Sequence, residues 1–145
     1  MTPDQIRELL IMSYKAYDAG NREFVMDLFD DDIEWNFYSA PEALPIPNRV
    51  RGKINVLMAL KTVDDILEFA KNDIQRIVVE GDTAATIIDQ TLKLRQNGRV
   101  MRYKVAAFHR YSNGRLIEYT AFGDGVDMLQ QALGRELELP VAYPS

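Results

Sequence analysis

Cysteine is absent from this chain of 145 residues, and histidine occurs once. Without thiols there is neither a disulfide framework nor a cysteine nucleophile. One imidazole leaves too few soft ligands for a zinc site. Positive charge is also scarce: 17 Lys and Arg against 22 Asp and Glu leave a net charge of −5, whereas nucleic-acid binding rests on a basic surface. No apolar run is long enough to span a bilayer, and the N-terminus carries no basic segment followed by an apolar stretch. A Gly-x-Ser-x-Gly elbow is missing, and Gly123-x-Gly125 is too short to serve as a nucleotide fingerprint. What remains is a chain expected to work in the cytoplasm without metal, cofactor, nucleic acid or membrane. Its length suits one domain that buries a core and encloses a small-molecule pocket.

Glycine is placed informatively. Asn97-Gly98 and Asn113-Gly114 divide three apolar-rich runs between residues 84 and 124. Asn-Gly tolerates positive φ at both centres of a type I′ turn, so each pair is read as closing a two-residue hairpin. Counting outward sets Leu92 opposite Tyr103, Ile88 opposite Ala107, Thr86 opposite His109, and then His109 opposite Glu118, Ala107 opposite Thr120 and Val105 opposite Phe122. Opposed residues share a face, so Thr86, Ile88, Gln90, Ala107, His109, Glu118, Thr120 and Phe122 fall on one side, which is read as core or pocket. Ile87, Phe108 and Tyr119 fall on the other, an apolar patch expected to pack on a second subunit. A bulge in either hairpin would break this map beyond it.

Thr2-Pro3-Asp4-Gln5 supplies an N-cap, a proline at the first helical position and a capping box. The helix then carries Tyr14 and Tyr17 on its inward stripe until Gly20. Asn21 caps a short second helix, and Asp30-Asp31-Asp32 is a solvated turn rather than a calcium loop. Residues 33–38 read as a strand with Trp35 and Phe37 on one side. Residues 39–51 hold three prolines and read as a loop or lid. Gly52 opens a helical stretch with Ile54, Leu57, Met58, Ile66, Leu67 and Phe69 as apolar positions, which 62–65 can interrupt. Residues 73–80 form a strand, 126–133 a closing helix and 135–145 a tail after a domain of residues 1–134. This order predicts an α+β fold with helices on one face of a curved antiparallel sheet.

Several strings in this order resemble the nuclear transport factor 2-like superfamily, in its SnoaL-like and ketosteroid-isomerase-like branch. They are residues 17–21, 28–35, Arg51-Gly52, and 108–124 with its Phe108-His109-Arg110-Tyr111 and Phe122-Gly123-Asp124 ends. The resemblance covers nearly the whole chain. It implies a cone, also called cystatin-like, with a pocket between the concave sheet face and the N-terminal helices, and a homodimer packed sheet against sheet. It also implies chemistry this chain departs from. In isomerases of that branch a carboxylate base, a protonated Asp and a tyrosine act together. The matching positions here are Phe37, Ala107 (or Ala106) and Ser13 beside Tyr14. A standard ketosteroid isomerase is therefore not expected, and no Asp-Arg-Asp arrangement like that of limonene epoxide hydrolases can be placed.

The candidate chemistry lies in the row crossing the three strands. His109 and Glu118, opposed across a hairpin, are the candidate acid/base pair, since a carboxylate orients an imidazole and raises its pKa. The same pair can equally satisfy polar groups near a hairpin end. Candidate pocket residues are Tyr14, Tyr17, Trp35, Phe37, Thr86, Ile88, Gln90, Ala107, Thr120 and Phe122. Two functions stay open: a SnoaL-like enzyme doing isomerase, cyclase or dehydratase proton transfer on a hydrophobic carbonyl or polycyclic compound, and a non-catalytic module that binds a hydrophobic ligand or dimerises.

Overall fold

A computed structural model describes residues 1–38 and 48–138. The helix α1 (Pro3–Asp18) starts at Thr2 with the full capping box, Thr2 accepting from the Gln5 N–H and Gln5 reaching back. It buries Ile6 and Leu10. The short α2 (Arg22–Asp27) is capped by Asn21, whose side chain accepts from the Phe24 N–H. Then follow β1 (Phe29–Tyr38), β2 (Arg49–Arg51), α3 (Lys53–Ile66), β3 (Leu67–Glu80), β4 (Thr83–Leu94), β5 (Val100–Ser112), β6 (Arg115–Gly123) and α4 (Gly125–Leu133).

The six strands form one sheet in the order β2-β1-β6-β5-β4-β3. All neighbours are antiparallel except β1 and β6, which run parallel, so the sheet is mixed rather than wholly antiparallel. It is strongly curled, with α1 against β3 and β4, and α3 against β1 and β3. The α+β fold expected from the order of elements, with the cone that the family resemblance implies, is the fold observed.

Several local expectations differ. The loop or lid read over 39–51 falls mostly outside the described residues, but its last part forms β2, which pairs with β1 through Glu34–Arg51 and Trp35–Val50. The α3 helix is unbroken and buries Val56 and Val63 rather than Ile54 or Met58, which are largely exposed. Leu67 and Phe69 belong to β3, which starts six residues earlier than expected. Apolar helix and strand residues look alike over so short a stretch, and sheet pairing with Leu94 and Leu92 decides between them.

The two Asn-Gly pairs behave differently. Asn113 and Gly114 both take positive φ, 52° and 77°, and close a two-residue turn between Ser112 and Arg115. At Asn97-Gly98 only the glycine does, at 71°. Asn97 instead accepts from the Arg99 N–H with its side chain, and Gly98 N–H donates to Leu94 O, so residues 95–98 make a four-residue loop. Pairing therefore slides by two: Thr86 faces Ala107, Ile88 faces Val105 and Gln90 faces Tyr103. A two-residue slide conserves the face. Accordingly β5 alternates without fault, burying Met101, Tyr103, Val105, Ala107, His109 and Tyr111.

The second hairpin carries a bulge. Tyr111 faces Leu116, but the next pair is Arg110 with Glu118, leaving Ile117 unmatched. Beyond it every side chain of β6 changes face. Glu118, Thr120 and Phe122 lie on the convex side and Tyr119 and Ala121 on the concave side, opposite to the expectation for each of Glu118, Thr120, Phe122 and Tyr119.

Candidate functional site

The concave face and helices α1 to α3 enclose a cavity of about 150 Å³, lined almost wholly by apolar and aromatic side chains. Among its lining residues are Tyr14, Tyr17, Trp35, Phe37, Gln90 and His109, six of the residues picked from sequence. Thr86, Ile88 and Ala107 share the concave face but are buried in the core and do not reach the cavity. Thr86 donates to Ala107 O at 3.4 Å. Thr120 and Phe122 line instead a shallow hollow on the convex face with Phe108, Arg110 and Glu118.

The expected His109–Glu118 pair does not form. Glu118 lies beneath Arg110, whose guanidinium donates to it at 2.9 Å, in a convex row that register extends to Glu34 and Arg51. His109, only 5% exposed, is boxed by aromatic rings on the other face. Its Nε2 meets the Tyr14 hydroxyl at 3.2 Å, and Tyr119 stands edge-on with ring centres 5.2 Å apart. Tyr119 in turn stacks on Trp35 at 3.9 Å, and Trp35 leans on Phe29.

Burial governs the electrostatics. Removed from water and with no carboxylate beside it, His109 has its pKa lowered to about 4, an effect only partly offset by the Ala84 backbone opposite. Its Nδ1 is buried without a hydrogen-bond partner of good geometry among the described residues. The tautomer that fits carries its proton on Nδ1, toward Ala84, and accepts from Tyr14 at Nε2. Burial likewise raises the hydroxyl pKa values of Tyr14, Tyr103, Tyr111 and Tyr119, with Tyr119 adding to the rise at Tyr14. These phenols stay neutral donors at any physiological pH. No Asp or Glu lines the cavity among the described residues. The site is thus a chamber of neutral phenols around one neutral imidazole, able to hydrogen-bond an oxygen and to hold a proton only briefly.

Tyr119 and Asn72 were missed as pocket residues. For Tyr119 a signal existed: Leu116 and Ile117 are adjacent apolar residues, after which the apolar positions fall at 119 and 121 with Glu118 and Thr120 between. That phase change is what a bulge leaves in a sequence. Asn72, placed in a strand six residues longer at that end than the hydrophobic pattern shows, left no comparable trace.

Comparisons with known proteins agree with this geometry. A crystal structure of a Rhodopseudomonas palustris protein, provisionally named an isomerase, is 25% identical, covers 85% of this chain and 91% of its own, and superposes with a TM-score of 0.76. A Burkholderia pseudomallei NTF2-like protein of unknown function is 17% identical over 90% of this chain and 98% of its own, with a TM-score of 0.79. A Pseudomonas putida protein, provisionally named a polyketide cyclase, is 17% identical over 87% and 96%, with a TM-score of 0.71. Comparison with curated proteins returned no match. The model of the SnoaL-like domain matches residues 12–119, which include Tyr14, Trp35, His109 and Tyr119. With the curled sheet and its enclosed cavity, that match places this chain in the SnoaL-like domain family of the NTF2-like superfamily.

Proposed function

We propose that the protein is a SnoaL-like enzyme that moves a proton within a small hydrophobic carbonyl compound, with His109 as base and acid and Tyr14 as the donor to the carbonyl oxygen. One observation carries this reading: Tyr14–His109 is the one hydrogen bond between two side chains among the described cavity residues, in a chamber lined mostly by apolar and aromatic groups. When a carbonyl oxygen takes the Tyr14 O–H, Nε2 is freed to accept a proton from the adjacent carbon. The C–H electron pair moves into the enolate, and the imidazolium so formed stands beside it as an ion pair of zero net charge. Returning the proton to a different carbon completes an isomerisation; attack by the enolate carbon on a second carbonyl, whose π pair moves to its oxygen and takes the proton back from the imidazolium, gives a cyclisation.

A base with a pKa of about 4 is weak, so the substrate must be an activated carbon acid such as a β-keto ester or 1,3-dicarbonyl. The names of the relatives, isomerase and polyketide cyclase, support the same class of chemistry. The test is solvent exchange. In D2O, the protein is expected to accelerate deuterium incorporation into ethyl benzoylacetate, followed by proton NMR, above the rate in buffer alone. Binding of that ester with no acceleration would sink the enzyme reading and leave the second one, a pocket that only holds its ligand. That second reading draws on the absence of a carboxylate from the cavity lining among the described residues.

The convex face supports a homodimer as part of this proposal. Phe108 and Phe122 are 48% and 47% exposed there, beside Ile87 and Tyr38, and Tyr38 stacks on Phe122. Tyr119 has no part in that surface. Phe108→Glu is expected to shift the protein from two subunits to one in light scattering without lowering its helix or sheet content. An unchanged mass, or a monomeric parent, would remove this face as the interface.

A further inference from the structure

Asn72 is 8% exposed, lines the cavity, and is fixed in one orientation. Its Nδ2 donates to Asp18 Oδ1 at 2.8 Å, and its main-chain N–H donates to Asp18 Oδ2 at 3.1 Å. A carboxylate accepts and cannot donate, so the carboxamide cannot turn over without losing that bond. Its Oδ1 is consequently held as an acceptor, and this oxygen is buried with no partner among the described residues. A buried unpaired carbonyl oxygen costs roughly 1–3 kcal/mol unless something donates to it.

Register places more polar groups beside it. Asn72 pairs with Gln90, and Gln90 pairs with Tyr103, and all three line the cavity. Opposed residues share a face with Cβ atoms roughly 5 Å apart, so a polar row crosses β3, β4 and β5. Burial keeps the Tyr103 hydroxyl protonated and therefore a donor. The row sits away from the Tyr14–His109 pair: Tyr103 and His109 are six residues apart on β5, about 20 Å of extended strand. Across the cavity the two ends lie closer than that, because Asp18, which holds Asn72, is one turn along α1 from Tyr14, with Cβ atoms about 6 Å apart, so a ring or two spans between them.

We infer that Asn72 is a specificity-determining residue, and that the cavity selects substrates bearing a neutral hydroxyl at the end opposite the reacting carbonyl. The hydroxyl donates to Asn72 Oδ1 and accepts from Tyr103, which satisfies both. The Asp18 carboxylate behind Asn72 disfavours an anion at this end, and its charge reaches far enough to raise the Tyr14 and Tyr17 hydroxyl pKa values. This inference rests on the proposed function for the placement of the carbonyl, but its test reads binding, not turnover.

The test compares ethyl (4-hydroxybenzoyl)acetate with ethyl (4-methylbenzoyl)acetate by isothermal titration of the full chain. The two probes have nearly the same shape, and a site built around a hydroxyl discriminates against an analogue that lacks it because the partner is left unpaired. The hydroxylated ester is expected to bind at least tenfold more tightly. Asn72→Leu is expected to bring that ratio to about one while leaving the affinity for the methyl ester unchanged. In case Asn72→Leu does not fold, Asp18→Asn releases the carboxamide to turn over and is expected to cut the ratio several-fold. Equal affinities in the parent, a ratio that persists in both variants, or no binding of either ester would overturn the inference. Discrimination without any catalysed deuterium exchange would leave Asn72's role standing and remove only the proton-transfer reading.

Discussion

Replacing His109 by Gln is expected to lower catalysed deuterium exchange into ethyl benzoylacetate by 10²- to 10⁴-fold, the usual worth of a positioned general base. The amide of Gln is close in size to imidazole and can still accept from the Tyr14 hydroxyl, but it cannot carry a proton. The chamber of Trp35, Tyr119 and Tyr14 should therefore persist, and ester affinity should change little. Glu118→Gln is the counterpart. Its carboxylate lies on the convex face with Arg110, so the rate is expected to stay within twofold of the parent, and loss of a half-exposed ion pair costs at most about 1 kcal/mol. If Glu118→Gln lost as much rate as His109→Gln, the acid would belong to the chemistry and the assignment of roles would fail. A rate unchanged in His109→Gln would remove the imidazole from the reaction.

Acid is expected to loosen this protein through the same residue. In the folded state His109 has a pKa of about 4, against about 6.5 in an unfolded chain. Between these values the unfolded chain binds the proton and the folded one does not. Stability from a neutral His109 is thus fully present above pH 6.5 and is lost as pH falls toward 4. The gap corresponds to about 3 kcal/mol at the bottom of the window, by the linkage of roughly 1.4 kcal/mol per pKa unit. Carboxylates titrate there too, so the quantity to measure is a difference. Urea unfolding at pH 7 and pH 4.5 should show a drop in the parent that exceeds the drop in His109→Leu by about 2 to 3 kcal/mol. Equal drops in the two proteins would mean that the imidazole is hydrated and not boxed in. Catalysed exchange should also hold level from pH 8 down to about 5 and fall below that, as Nε2 fills with a proton.

Most of the architecture could be read from residues with strong local rules. Thr2 to Gln5 dictates a helix start, Asn113-Gly114 dictates a tight reversal, and the alternation of β5 dictates which of its side chains turn inward. The face of His109 was legible for that reason, and so were Tyr14, Trp35 and Phe37 as cavity residues. Asn97-Gly98 misled because the same dipeptide has two ways to satisfy its neighbours. With Asn97 accepting from Arg99 the loop lengthens, and the register moves by two without disturbing the faces. Ile117 had the larger effect because one unmatched residue moves a strand by an odd number. Glu118 was exchanged for Tyr119 beside the imidazole, and a charged partner for an aromatic one. The α3 stretch failed for a further reason: Ile54 and Met58 follow helical spacing yet lie on its outer face, and only tertiary packing selects Val56 and Val63. The Asp18–Asn72 contact joins residues 54 apart in sequence, beyond the reach of any local pattern.

That single unmatched isoleucine carries a lesson about how such chambers diversify. Drawing it into the ladder opposite Arg110 would shift the strand that follows by one residue and turn its last residues over, so that a carboxylate would stand next to the imidazole and a phenol would leave for the outer surface, whereas deleting it would keep the present partners. A charge-relay interior and a hydroxyl-lined one are therefore separated by whether one residue is paired or looped out, with no substitution at any reacting position.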